Sequence, residues 1–177
     1  MESIYTPAED SYLLQRYVKR LVEGRVLDMG TGSGIQAVTA AQNFDVDRVV
    51  ATDINPYAIE AAKRRAEKAG VIDKIDFVIT DLFDKIEGGF DWIIFNPPYL
   101  PSNGGIFDPT WDGGRTGRET IERFLKQAKK HLILNGSILL VYSSETGKLD
   151  QYGYQWKILE EEKLFFETLY CALLTLT

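Results

Sequence analysis

Val26-Leu27-Asp28-Met29-Gly30-Thr31-Gly32-Ser33-Gly34-Ile35 reads as a short apolar strand ending in an acid, a loop with glycine at every second position, and the start of a helix. Glycine has no Cβ, so such a loop turns tightly and lets a ligand approach the main chain. The same alternation continues outward. Ile35–Asn43 is a helix rich in small residues, and Arg48–Thr52 a second strand. Asn55 caps the next helix, Pro56 suits its first turn and Gly70 closes it. Ile75–Thr80 and Phe90–Phe95 are further strands, the latter apolar enough to be covered on both faces. Strand and helix in alternation predict an α/β fold.

The flanks are read from the same signals. Residues 1–24 form an N-terminal segment and helix: Tyr5–Asp10 is extended, Tyr12, Leu13, Tyr17, Val18 and Leu21 keep helical spacing, and Gly24 ends the helix. Residues 25–142 form the core. Leu100–Arg115 is a loop of turn formers; Thr116 and Glu119, three apart, fit a capping box opening a helix that runs to about Leu134. Gly136 turns the chain into strand Ser137–Tyr142. Residues 143–177 supply Gln155–Glu162 and Glu167–Leu176, a two-stranded ribbon finishing the sheet. At 177 residues the chain is expected to form one domain over 1–177.

Composition narrows the function. The net charge is −6 and the pI near 4.9, without the basic footprint of a nucleic-acid binder. The basic runs Lys63-Arg64-Arg65 and Lys129-Lys130 read as solvated helix faces. Cys171 is the single cysteine, so an internal disulfide and a zinc-thiolate cluster are excluded and no metal is expected. The opening residues lack the charged and apolar regions of a signal peptide, and no apolar run reaches the roughly 18 residues of a membrane helix. A cytoplasmic protein is expected, with no membrane contact.

Three successive strands end in Asp28, Asp53 and Asp81, at the carboxyl edge where open α/β sheets bind ligands. Asp53 lies 19 residues past Gly34, where nucleotide-binding folds place an acid on ribose hydroxyls. Asp81 is placed to accept from an adenine amine, with Leu82 packed on the ring. A dinucleotide fingerprint requires glycine at position 35, which is Ile35. An edge rich in carboxylates repels a pyrophosphate and suits a cation. S-adenosylmethionine, with a sulfonium, an ammonium and no phosphate, meets those terms.

The fourth strand delivers Asn96-Pro97-Pro98-Tyr99 to the same edge. A residue before proline is pushed towards extended conformations, which holds Asn96 out of any helix. Its side-chain oxygen and the Pro97 carbonyl are two acceptors for the two hydrogens of a planar NH2 group. Tyr99 is placed to lie against a flat substrate. An amide nitrogen is a poor nucleophile, and acceptors that grip harder as positive charge grows on it favour the transition state. A rigid turn would use the same four residues; their place downstream of the glycine loop and the strand-end acids favours a site. His131, Glu9, Asp10 and Cys171 read as helix-end, capping and packing residues.

Asn96-Pro97-Pro98-Tyr99 together with Asp28-Met29-Gly30-Thr31-Gly32-Ser33-Gly34 resembles the class I S-adenosylmethionine-dependent amino methyltransferases. Tyr5-Thr6-Pro7-Ala8-Glu9-Asp10-Ser11 and Trp111-Asp112-Gly113-Gly114-Arg115-Thr116-Gly117-Arg118-Glu119 are similar to the archaeal and eukaryotic branch of the HemK-related enzymes. The resemblance covers about residues 4–142. It implies a Rossmann-like fold with a mostly parallel seven-stranded sheet, helices on both faces and an antiparallel C-terminal strand. It implies N5-methylation of the glutamine in the Gly-Gly-Gln tip of a class I translation termination factor. Ser11, Asp28, Gly30, Gly32, Gly34, Asp53, Asp81, Leu82 and Asn96 then match cofactor positions, and Asn96 through Tyr99 the substrate shelf. A small zinc-binding activator protein is an implied partner. The helical N-terminal domain of bacterial HemK enzymes has no counterpart in the sequence, which implies another way of docking the factor. Adenine-N6 methylation of DNA or RNA and protein lysine methylation are the alternative reactions.

Overall fold

The computed structural model describes residues 4–101 and 114–177. The elements run α1 (Glu9–Leu21), β1 (Gly24–Met29), α2 (Ile35–Ala41), β2 (Val46–Asp53), α3 (Pro56–Lys68), β3 (Ile75–Ile79), β4 (Phe90–Phe95), α4 (Glu119–Ala128), β5 (Leu132–Ser143), β6 (Tyr154–Lys163) and β7 (Thr168–Leu176). One seven-stranded sheet has the order β3-β2-β1-β4-β5-β7-β6. Strands β1 to β5 are parallel, and β7 runs antiparallel between β5 and β6. The expected fold class and the closing ribbon are both present.

Period-two side chains explain the layers. Val26, Ile94, Leu139 and Val141 face one side, packed with Leu13, Leu14 and Val18 of α1, Ala37 of α2 and Ala66 of α3. Leu27, Ile93, Ile138 and Leu140 face the other, packed with Ile121, Phe124 and Leu125 of α4. Each of these valine, leucine, isoleucine and phenylalanine side chains stabilises the fold by about 1.5–3 kcal/mol on full burial. Short runs apolar at every position therefore become the sheet centre. Cys171 is buried among them, and burial pushes its thiol up to about 12.

The structure corrects four boundary expectations. Helix α1 stops at Leu21, three residues before Gly24, which opens β1 at φ +64°. Helix α4 starts at Glu119, whose carboxylate reaches back to the Thr116 and Arg118 amides, so only half of the expected capping box forms. The helix ends at Ala128, not near Leu134, because Leu132 pairs with Phe90 and the Phe90 amide donates to the His131 carbonyl. His131 accordingly leaves the helix, and its ring stacks on Phe83 at 4.6 Å. The turn before the inner part of β5 is made by Asn135 at φ +67°. At Gly136 a Cβ would come within 2.9 Å of the Phe90 carbonyl oxygen, so glycine serves close approach there.

Candidate active site

In-register strands bring the functional residues to one edge. Met29 pairs with both Thr52 and Phe95, and Asp53 with Ile79, so the chain leaves β1, β2, β3 and β4 side by side. The segments that follow line a cavity of about 330 Å³, together with the stretch from Ile4 to Ser11. That volume falls within the range of about 300–1,000 Å³ usual for small-molecule sites.

At the glycine end, Gly30 and Gly32 line the cavity at φ +63° and +53°. Gly34, at φ +80°, sits behind the lining, where a Cβ would meet Ala62 of α3 at 2.8 Å. Its work is to let α2 and α3 approach. Asp28 braces the loop: its Oδ2 accepts from Thr31 Oγ1 at 2.6 Å and from the Ala37 amide at 3.0 Å. Burial holds its carboxyl up at about 7. Asp53 accepts from the Gly32 and Asn55 amides, both at 2.9 Å, and burial raises its pKa as well. Asp81 is ion-paired with Arg123 of α4 at 2.8 Å, a partner that residue spacing did not reveal. Leu82 is held at φ +44°, a left-handed conformation uncommon for a bulky residue and often found at ligand clamps.

The Asn96 end of the cavity is organised by a residue that reads as a helix cap. Asp10 is 3% exposed, and its carboxylate is a hub. Oδ1 accepts from the Tyr5 hydroxyl at 3.0 Å and from the amide and hydroxyl of Ser11. Oδ2 accepts from Asn96 Nδ2 at 3.0 Å and the Tyr99 hydroxyl at 3.1 Å. Burial first, then the Asp10 charge, push both tyrosine hydroxyls well above their usual range, so they stay neutral donors. The peptide bonds before Pro97 and Pro98 are trans.

This hub fixes the Asn96 amide. A carboxylate offers only acceptors, so Nδ2 must face Asp10 and Oδ1 must point away. Oδ1 is buried and has no hydrogen-bond partner among the described residues. A buried oxygen left unpaired costs about 1–3 kcal/mol and calls for a ligand. Gln36 repeats the pattern at the other end. Its Nε2 donates to the Ser11 carbonyl at 2.8 Å, while Oε1 is buried and unpartnered among the described residues. Both side chains line the cavity. Of the expected positions, Ser11, Asp28, Gly30, Gly32, Asp53, Asp81, Leu82 and Asn96–Tyr99 all line it; Trp111, Asp112 and Gly113 lie outside the described residues.

The donor set fits a cationic nucleoside. Four carboxylates border the cavity, Asp10, Asp28, Asp53 and Asp81, with Arg123 the one arginine or lysine among the described lining residues. Two buried acceptor oxygens, Asn96 Oδ1 and Gln36 Oε1, have no hydrogen-bond partner among the described residues. Among the described residues no helix is long and apolar enough to cross a membrane.

Comparison with known proteins agrees with this geometry. A chain from the E. cuniculi Mtq2–Trm112 complex, described as responsible for methylation of the eRF1 translation termination factor, superposes with a TM-score of 0.75 and 30% identity, covering 100% of both chains. A Methanocaldococcus jannaschii protein, provisionally named a protein N5-glutamine methyltransferase, is 36% identical over 94% of this chain and 88% of its own length. The release factor glutamine methyltransferase of Koribacter versatilis is 35% identical over 68% of this chain, which spans about half (47%) of that longer enzyme. The family model for the methyltransferase small domain matches residues 9–153, and the chain belongs to that family.

Proposed function

We propose that this chain uses S-adenosylmethionine to methylate the side-chain amide nitrogen of the glutamine in the Gly-Gly-Gln tip of a class I translation termination factor. The observation that carries the reading is the buried, unpartnered Asn96 Oδ1, aimed by Asp10. S-adenosylmethionine supplies, when bound, a methyl group on a positively charged sulfur that leaves as a neutral thioether. Asp53 is the residue for the ribose hydroxyls, Asp81 and Leu82 for the adenine, and Gln36 Oε1 and the loop at Gly30 and Gly32 for the amino-acid portion.

At the substrate, Asn96 Oδ1 accepts one amide hydrogen and the Pro97 carbonyl the other, while Tyr99 supports the amide plane. The nitrogen electrons are thereby directed out of that plane. As the new N–C bond forms, the nitrogen becomes positive and both acceptors bind it more tightly. Asp10, one hydrogen bond behind Asn96, strengthens this effect, because donation from Nδ2 to a carboxylate polarises the amide and enriches Oδ1 in charge. After bond formation the N-protonated amide, a strong acid, gives its surplus proton to water, so no base is needed beforehand.

The cytoplasm, where termination factors act, is the expected setting. A small activator partner is expected too, since the E. cuniculi neighbour was solved in complex with Trm112. The test is transfer of label from S-adenosylmethionine to the termination factor, to the same factor with that glutamine replaced by alanine, and to DNA and RNA oligonucleotides. Label in the intact factor alone is expected. Label only in nucleic acid would favour adenine-N6 transfer and reject the proposal.

A further inference from the structure

Phe165 and Phe166 are adjacent and almost fully exposed, at 92% and 88%, with rings edge-on at 4.7 Å. Phe44 and Leu134, comparably exposed, stand apart from each other at the opposite, amino edge of the sheet. Isolated exposed apolar residues are ordinary, whereas a contiguous patch marks an interaction surface. The pair forms the tip of the β6–β7 turn, closed by donation from the Leu164 amide to the Glu167 carbonyl at 2.8 Å.

That turn belongs to the edge of the sheet that carries Asn96. Ser143, at the end of β5, pairs with Leu169, which puts residues 164–167 beyond the carboxyl end of β5. The Ser143 hydroxyl donates to the Glu167 carboxylate, and the Thr168 amide donates to Ser144 Oγ at 3.0 Å. From the same 143–146 turn, Thr146 Oγ1 donates to the Tyr99 carbonyl at 3.2 Å. The tip and the substrate shelf are therefore braced by one short segment.

We infer that Phe165 and Phe166 dock the polypeptide that carries the target side chain, gripping an apolar residue about six positions from it. The inference rests on the proposed function, since only a protein substrate has a flanking chain. A side chain entering beside Asn96 brings its backbone across the carboxyl edge. The hairpin tip stands two strands away, from β4 past β5 to β7, and five to six residues farther along, since Phe95 is level with Leu140 and Leu140 with Ala172; at about 4.8 Å per strand and about 3.3 Å per residue the separation is roughly 20 Å. An extended chain covers that distance in about six residues at about 3.3 Å each. The occupant is thus the segment about six residues from the methylated glutamine.

The test compares F165A/F166A with wild type on two substrates, the whole termination factor and a blocked Gly-Gly-Gln peptide too short to reach the hairpin. The expected result is a KM for the factor raised about tenfold or more, with kcat and peptide turnover within twofold of wild type. F165W/F166W, which keeps aromatic surface, should restore the KM to within threefold of wild type. A KM for the factor unchanged in F165A/F166A would overturn the docking role. An unchanged KM with loss of a dimer in sedimentation would assign the patch to a second copy of the chain and overturn it equally. Failure of wild type to methylate either substrate would instead remove the function on which the inference rests.

Discussion

Asp10→Asn is the sharpest perturbation of this site, because it changes one atom and reverses a hydrogen-bond direction. Asp10 Oδ1 accepts from three donors and Oδ2 from two. The oxygen of an asparagine at position 10 will take the place with three donors, leaving its NH2 against Asn96 Nδ2. Two NH2 groups cannot bond to each other. Asn96 relieves the conflict by turning its amide over, which points its NH2 group into the cavity where an acceptor is required. The shelf then presents a donor to a nitrogen that is becoming positive. Removing one preorganised group of this kind costs about 10²–10³-fold in kcat. Folding should weaken by only about 1–3 kcal/mol, since the turned amide recovers a bond to position 10 and the loss is of charge-assisted bonds. The assay is steady-state methylation at saturating factor and cofactor, beside calorimetric cofactor binding and urea unfolding. A D10N enzyme with kcat within threefold of wild type would show that Asp10 does not set the Asn96 amide.

Asn96→Ala should abolish detectable turnover and leave cofactor affinity within a few-fold, read by the same calorimetry. Asp53→Ala should weaken cofactor binding tenfold or more, because hydrogen bonds to a charged acceptor are each worth about 1.5–3 kcal/mol; an unchanged Kd would remove it from the cofactor set. Asp28→Asn should change how stability depends on pH. Burial holds the folded carboxyl up at about 7, above its ordinary value of 3.8, so between these values the folded state keeps a proton that the unfolded chain has lost. Stability from this group therefore falls as pH rises through that window. Urea midpoints from pH 4 to 8 should decline less in D28N than in wild type, and parallel declines would contradict the assignment.

The sheet was legible because its strands are short, apolar at successive positions and punctuated by caps and glycines. The cofactor end was legible for a related reason: strand-end acids share an edge once the strands are parallel. Asp10 was not. Its partners Asn96 and Tyr99 lie 86 and 89 residues away, and an acid in the first turn of a helix already has a local explanation. Gln36 was hidden in the same way, in a helix of small residues where a polar side chain reads as solvent-facing. Nothing in the sequence ties Arg123 on α4 to Asp81, 42 residues away; only the fold brings them together. The end of α4 was misplaced because Lys129-Lys130-His131 carries no helix breaker, and only pairing of Leu132 with Phe90 ends the helix there.

The proposed acceptor is a planar amide nitrogen. That assignment is tested most directly by tandem mass spectrometry of the termination factor after incubation with this enzyme and S-adenosylmethionine. A single added methyl group is expected on the side-chain nitrogen of the glutamine in the Gly-Gly-Gln tip, absent when Asn96 is alanine. A methyl group on lysine, or an unmodified factor beside a methylated nucleic acid, would contradict it.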